Sequence, residues 1–148
     1  MAEDTGRDTG RGTGRDTGRD TGKDTGKESR NGTGTQAGCL FCGIVAGDVP
    51  ADVVHETPTT LAFRDVEPQA PTHVLVVPRS HQPDAASLAA AAPEVLVDLV
   101  AAARAVAEQD GLADGYRLVF NTGPAAHQTV FHAHLHVLGG RSMGWPPG

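Results

Sequence analysis

The chain is poor in cysteine, aromatic rings and lysine, and it has no long apolar run. Two cysteines in 148 residues cannot staple a small secreted domain, and their Cys39-x-x-Cys42 spacing asks for a metal or redox reading instead. No stretch approaches the ~18 consecutive apolar residues of a membrane span. The N-terminus lacks the apolar segment of a secretory signal, so the expected compartment is cytoplasmic, with no membrane partner. Both lysines precede residue 28. From Cys39 onward, five arginines face eleven acidic residues, so the net charge of −6 belongs to that part alone. Such an acidic surface argues against nucleic-acid partners, because phosphate backbones attract dense positive charge.

What is present divides at about residue 38. From Thr5 to Glu28 the sequence repeats Thr-Gly-Arg-Asp and its variants with a period of four and no apolar side chain. Ordering such a segment costs entropy and buries nothing, so residues 1–38 are expected to be a disordered, low-complexity tail. Residues 39–148 carry all seven histidines and are expected to form one domain.

Within that domain, Val53–Glu56, Leu61–Asp65, Thr72–Val77, Tyr116–Phe120 and Val130–Leu138 read as strands, being rich in β-branched and aromatic residues and bounded by turn residues. Pro93 opens a helix that Gly111 stops, with Leu96, Leu99, Val100, Ala103, Val106 and Ala107 at helical spacing. A shorter Ala-rich helix starts near Asp84. Tight turns between most strands imply an α+β fold, a five-stranded antiparallel sheet with two helices on one face.

The last strand carries the chemistry. Alternation along Val130–Leu138 puts His132, His134 and His136 on one face and Phe131, Ala133, Leu135 and Val137 on the other. Three imidazoles in a row suit either of two chemistries. They could bind a metal that keeps an open position, or one neutral ring could attack while its neighbours relay protons or bind an anion. The uncharged donors Asn121, Gln128 and Thr129 lie just before the strand and suit a phosphate oxygen.

The segment His132-Ala-His-Leu-His-Val-Leu138 resembles the signature of the histidine triad (HIT) family. The likeness continues through Asp65 to Arg79, Gly115 to Asn121 and Gly139 to Gly148, the last pointing to the Hint-like nucleotide-binding branch. That resemblance implies a HIT-like fold pairing into a continuous sheet in a homodimer. It implies a purine nucleoside phosphoramidase that cleaves the P–N bond of adenosine 5′-phosphoramidates through a covalent nucleotidyl-histidine, with no metal required for catalysis. The partner would be a purine nucleoside monophosphate or phosphoramidate. The alternatives are a dinucleoside polyphosphate hydrolase and a nucleotide-binding regulatory module with little turnover.

By the same resemblance His134 would be the nucleophile, His136 a phosphate contact, His73 a member of the imidazole network and Thr129 a donor to the leaving amine. Asp65 would accept both ribose hydroxyls, Asn121 and Gln128 would reach the phosphate, and Leu40, Phe41, Ile44 and Phe63 would form the slot for the base. Cys39, Cys42, His81 and His132 would hold a structural zinc. Two departures from the Hint pattern stand out: His127 occupies a loop position that usually holds a small residue, and Glu67 adds an acidic charge near the entrance.

Overall fold

Each predicted strand has a counterpart in a computed structural model, which describes residues 34–148. The elements are helix α1 (Leu40–Ala46), strands β1 (Val53–Glu56), β2 (Thr60–Arg64) and β3 (Thr72–Pro78), helices α2 (Ala85–Ala91) and α3 (Pro93–Gln109), and strands β4 (Tyr116–Phe120) and β5 (Leu135–Gly139). A single 3₁₀ turn, Pro124–Ala126, lies between the last two strands. The sheet is antiparallel throughout and ordered β1-β2-β3-β5-β4. The repetitive segment read as a tail lies outside the described residues up to residue 33. Residues 34–38 already bond to the domain: His81 donates its backbone N–H to the Gly34 carbonyl at 2.7 Å, and the Gln36 N–H points at Cys42 Sγ at 3.2 Å.

Alternation splits the sheet into two faces. Ala62, Val74, Val76, Leu135 and Val137 point to the helical face, where Leu88 of α2 and Leu99 and Val106 of α3 cover them; all are fully or almost fully buried. Burying Leu99 or Val106 contributes roughly 1.5–3 kcal/mol each. Leu61, Phe63, Leu75 and Val77 point the other way and are covered by Phe41 of α1. That second face, closed by α1 over β2 and β3 and left open over β3, β5 and β4, is where the site lies.

Three expectations need correction. Among the described residues the sheet is accompanied by three helices where two were expected, because α1 is a seven-residue turn nucleated by Cys39 at its N-cap and stopped by Gly47 in the left-handed region, with no amphipathic stripe to announce it. The inward stripe of α3 is Val95, Leu99, Ala102, Ala103, Val106 and Ala107. Leu96 is only partly buried and Val100 is exposed, since valines on both sides of the helix left its rotation ambiguous. Strand β5 begins at Leu135, five residues later than expected. Before that point the Ala133 N–H donates to the Gln82 carbonyl at 2.6 Å rather than to a ladder partner, and β4 ends at Phe120 opposite Leu135. Phe131, expected on the core face, is therefore 53% exposed.

The far end of α3 is tied to the sheet by charge. Asp110 accepts from both Arg64 guanidinium nitrogens, at 2.6 and 3.0 Å, and from the Thr72 hydroxyl at 2.8 Å. Arg64 thereby holds the Asp110 carboxyl below the ordinary carboxylate range. Close packing here also demands glycine at 139, where a Cβ would meet the Leu112 methyl at 2.5 Å.

Candidate active site and metal centre

A cavity of about 540 Å³ opens beyond α1, on the same face of the sheet, over β3, β5 and β4. It brings together Asp65, His73, Asn121, Thr129, His134 and His136. His73 reaches it from β3 and His136 from β5, directly across the ladder from Leu75 and Val119. Asp65 follows β2, and Asn121 and Thr129 come from the loop after β4. His134 comes from the irregular segment just before β5.

The hydrogen bonds settle which nitrogen of each ring carries the proton. The Gln69 backbone N–H donates to His73 Nδ1 at 3.1 Å, so that nitrogen is unprotonated and His73 Nε2 carries the hydrogen. His73 Nε2 lies 2.9 Å from His136 Nδ1, which must accept, leaving the proton of His136 on Nε2. That Nε2–H is buried and has no partner among the described residues. A buried unpaired donor costs about 1–3 kcal/mol, so it is placed for an acceptor that the cavity is built to receive. His134 Nδ1 lies 2.8 Å from the His132 carbonyl, which can only accept. Nδ1 therefore carries the proton, and the lone pair of His134 sits on Nε2.

Burial keeps these rings neutral. Desolvation pushes His73, His132 and His134 below the ordinary imidazole value of 6.5. His136 is pushed to about 4, first by burial and then by the neighbouring His134 and His73. Asp65, 3.5 Å from His73 Nε2, opposes the shift at His73, His134 and His136. At neutral pH the cavity thus holds an uncharged nucleophilic nitrogen beside an uncharged N–H donor. Two carboxylates, Asp65 and Glu67, line it, and among the described residues no arginine or lysine does.

The first triad histidine leaves this row. His132 is fully buried, and its Nε2–H donates to the Pro78 carbonyl at 2.9 Å, so the lone pair on Nδ1 faces Cys39 Sγ at 3.6 Å and Cys42 Sγ at 3.5 Å. His81 Nδ1 is 3.4 Å from Cys42 Sγ, and all four ligand atoms lie within 4.8 Å of one another. A tetrahedral ion with bonds of roughly 2.0–2.3 Å sets its ligands about 3.5 Å apart. The residues fit such an ion: two sulfurs, two imidazoles, a second hydrogen bond orienting His132, and no position left open. The redox reading of Cys-x-x-Cys fits less well, because burial pushes the Cys42 thiol up rather than down. The three triad imidazoles do not converge on one point, so a three-histidine metal centre is not formed.

The remaining expected residues have other duties. Gln128 is 3% exposed and spends its amide on backbone, donating to the Pro83 and Val130 carbonyls at 2.6 and 3.1 Å and accepting from the Gly123 N–H at 2.9 Å. It braces the loop that carries Thr129 and is not on the cavity wall. Phe41, Ile44 and Phe63 form the apolar cluster under α1, with Phe41 edge-on to His134 at 5.1 Å between ring centres, while Leu40 is half exposed. Sequence reasoning did not single out Gln69, whose backbone sets the tautomer of His73, nor Val119 and Leu138, which form the cavity floor. The last two were legible as sheet neighbours of His136 and His73 once the strand order was known. His127 and Glu67, noted as departures, both line the cavity.

Comparisons with known proteins agree with this geometry. A family model described as the HIT domain matches residues 46–143. A 14 kDa zinc-binding protein of Zea mays is 47% identical over 74% of this chain and 87% of its own length. The purine nucleoside phosphoramidase of Escherichia coli is 41% identical over 71% of this chain and 89% of its own. Among solved structures, a HIT family hydrolase from Clostridium thermocellum superposes with a TM-score of 0.72 at 41% identity, covering 74% of this chain and 96% of that one.

Proposed function

The chain belongs to the HIT-domain family, and from that premise we propose that it is a purine nucleoside phosphoramidase. The observation that carries the reading is the pairing of two nitrogens at one cavity: the Nε2 lone pair of His134 and the unpartnered Nε2–H of His136. His134 Nε2 attacks the α-phosphorus of a nucleoside 5′-phosphoramidate while the P–N bond breaks. The leaving nitrogen takes a proton relayed through the Thr129 hydroxyl, which regains one from solvent, and departs as an amine. His136 donates to the phosphoryl oxygen as charge builds there. Water then attacks the nucleotidyl-imidazole and releases the nucleoside monophosphate, so one hard step becomes two easier ones.

Asp65 accepts from the ribose diol, and Asn121 donates to the phosphate. The base lies toward the apolar cluster of Phe41, Ile44 and Phe63, with Leu40 at its edge. Gln128 acts on the phosphate site only by bracing its loop. Cys39, Cys42, His81 and His132 would hold zinc in a structural role, because four protein ligands would leave no position for an activated water. Reduced cysteines of this kind suit a cytoplasmic setting. The helical side of β4, at the sheet edge, leaves Tyr116 and Leu118 at 40% and 36% exposure, and α3 exposes Val97 and Val100. A second copy pairing edge to edge and helix to helix covers both, which is the proposed homodimer.

The two carboxylates at the cavity, with no arginine or lysine beside them among the described residues, favour an amine over a nucleotide or other anion as leaving group. That favours the phosphoramidase over the dinucleoside polyphosphate hydrolase, and the complete nucleophile-and-donor pair favours turnover over a purely regulatory module. Intact-protein mass after rapid mixing with adenosine 5′-phosphoramidate tests the reading. A transient adenylyl adduct that is absent in His134→Ala supports it; turnover without an adduct, or unaltered turnover in His134→Ala, refutes it.

A further inference from the structure

We propose that His132 couples the Cys–His tetrad to the nucleophile, so that occupancy of the tetrad sets the orientation of His134. The inference rests on the proposed role of His134; it shares with that reading the His134–His132 backbone bond and adds the sulfur and Phe41 contacts.

His134 is held by contacts that mostly originate in the tetrad. Its Nδ1–H bonds to the backbone carbonyl of His132 at 2.8 Å, and the His132 ring is itself locked between the Pro78 carbonyl and the two sulfurs. The edge-on partner of His134 is Phe41, which also lies edge-on to His132 at 6.0 Å between ring centres. Phe41 sits between the two cysteines, in a helix whose N-cap is Cys39 and whose first turn contains Cys42. A contact independent of the tetrad is the His136 ring, at 5.0 Å.

The backbone does not compensate. Strand β5 starts only at Leu135, so both His132 and His134 lie outside the ladder, and the segment is pinned by the Ala133 N–H on Gln82 and by Gln128 on Val130. A seven-residue helix such as α1 is not stable by itself. A cation on the four ligands would therefore fix a loop and a helix that otherwise have few bonds of their own. The tetrad is also reachable: a second cavity, of about 370 Å³, is lined by Cys39 and His81 together with Thr129, which borders the histidine cavity as well. Loading or loss of the ion would then read out at the nucleophile as a positioning effect, with the ribose and phosphate contacts left in place.

The test uses the full chain loaded with zinc and the same chain stripped by a chelator. Groups that orient a metal-linked side chain typically affect function by about 10–100-fold. Stripping is expected to lower kcat for adenosine 5′-phosphoramidate by about that factor and to change KM by less than about threefold. In nitrogen-15 NMR the His134 Nδ1–H signal is expected to be present in the loaded chain and lost in the stripped one, returning with added zinc. The reverse direction needs no stripped protein: in the cobalt-loaded chain, His134→Ala is expected to shift the visible cobalt bands relative to wild type.

An unchanged kcat together with an unchanged His134 signal overturns the coupling, as do cobalt bands that His134→Ala leaves unmoved. Should the stripped chain unfold, the cobalt spectra alone decide. If the loaded chain does not turn over the phosphoramidate at all, the functional reading fails while the NMR and cobalt results still test the coupling.

Discussion

Acid should destabilise this protein through His136, and the size of the effect follows from its surroundings. The ring is partly buried between His73 and His134, with Nε2 shielded from solvent, and its proton-binding value is pushed from 6.5 to about 4. Above pH 6.5 the ring is neutral in both folded and unfolded chains and contributes no pH dependence. Between 6.5 and about 4 the unfolded chain binds a proton that the folded chain refuses, so stability falls as the pH falls. At 1.36 kcal/mol per pH unit, the loss is about 2 kcal/mol at pH 5 and about 3 kcal/mol once the pH is below 4. His136→Asn removes the titration and retains an oxygen where Nδ1 accepts from His73. Urea unfolding at pH 7.5 and pH 5, with both proteins in the same metal state, isolates the contribution. A urea slope of about 1–3 kcal/mol per molar makes it roughly a 1 M difference in how far the two midpoints move. Equal movement of both midpoints would refute neutral burial as the state of this ring.

Three further outcomes follow from contacts outside the nucleophile. Asp110→Asn should cost about 1–2 kcal/mol in urea unfolding, less than for a fully buried pair because the Arg64 side chain is 35% exposed, and its deficit should shrink as the pH falls through the depressed carboxylate value of the wild type. Gln128→Ala orphans the Gly123 N–H and two carbonyls, and should cost about 2–3 kcal/mol and lower kcat through the loosened Thr129 loop; an unchanged kcat would show that the brace does not serve the site. His127 has φ +63°, so His127→Gly should raise the melting temperature slightly while the β-branched His127→Val lowers it, the two differing by about 2 kcal/mol; the same melting temperature for both would refute strain at this position.

How much of this was legible depends on the range of the forces involved. From Leu135 onward, alternation alone assigns Leu135 and Val137 to the helical core and His136 to the cavity, because every residue there has ladder partners on both sides. From Val130 to His134 the same pattern still assigns Ala133 to the core and His134 to the cavity, but it misleads at Phe131 and His132. The partners there are the Gln82 carbonyl and the sulfurs of Cys39 and Cys42, which come from distant parts of the chain, and the side chain of Gln128 two residues before Val130; none leaves a periodic signal. Helix α1 was hidden for the same reason, since its reason to exist is a cysteine cap and a phenylalanine that packs on histidines 91 and 93 residues later.

The identities of the site residues were therefore easier to read than their duties. A histidine row announces chemistry, yet only the carbonyls of Pro78 and His132 decide that His132 offers Nδ1 to sulfur and His134 offers Nε2 to the cavity. Each ring is told which nitrogen to expose by a backbone group that any residue at that position would supply, which is why no side-chain pattern could encode it. The same logic separates Gln128 from Asn121. Both are uncharged donors in one loop, but Gln128 meets two carbonyls and an N–H and is used up, while Asn121 reaches the cavity wall. A substitution that moves one of these carbonyls without altering any histidine should then disturb the triad as much as replacing a member of it.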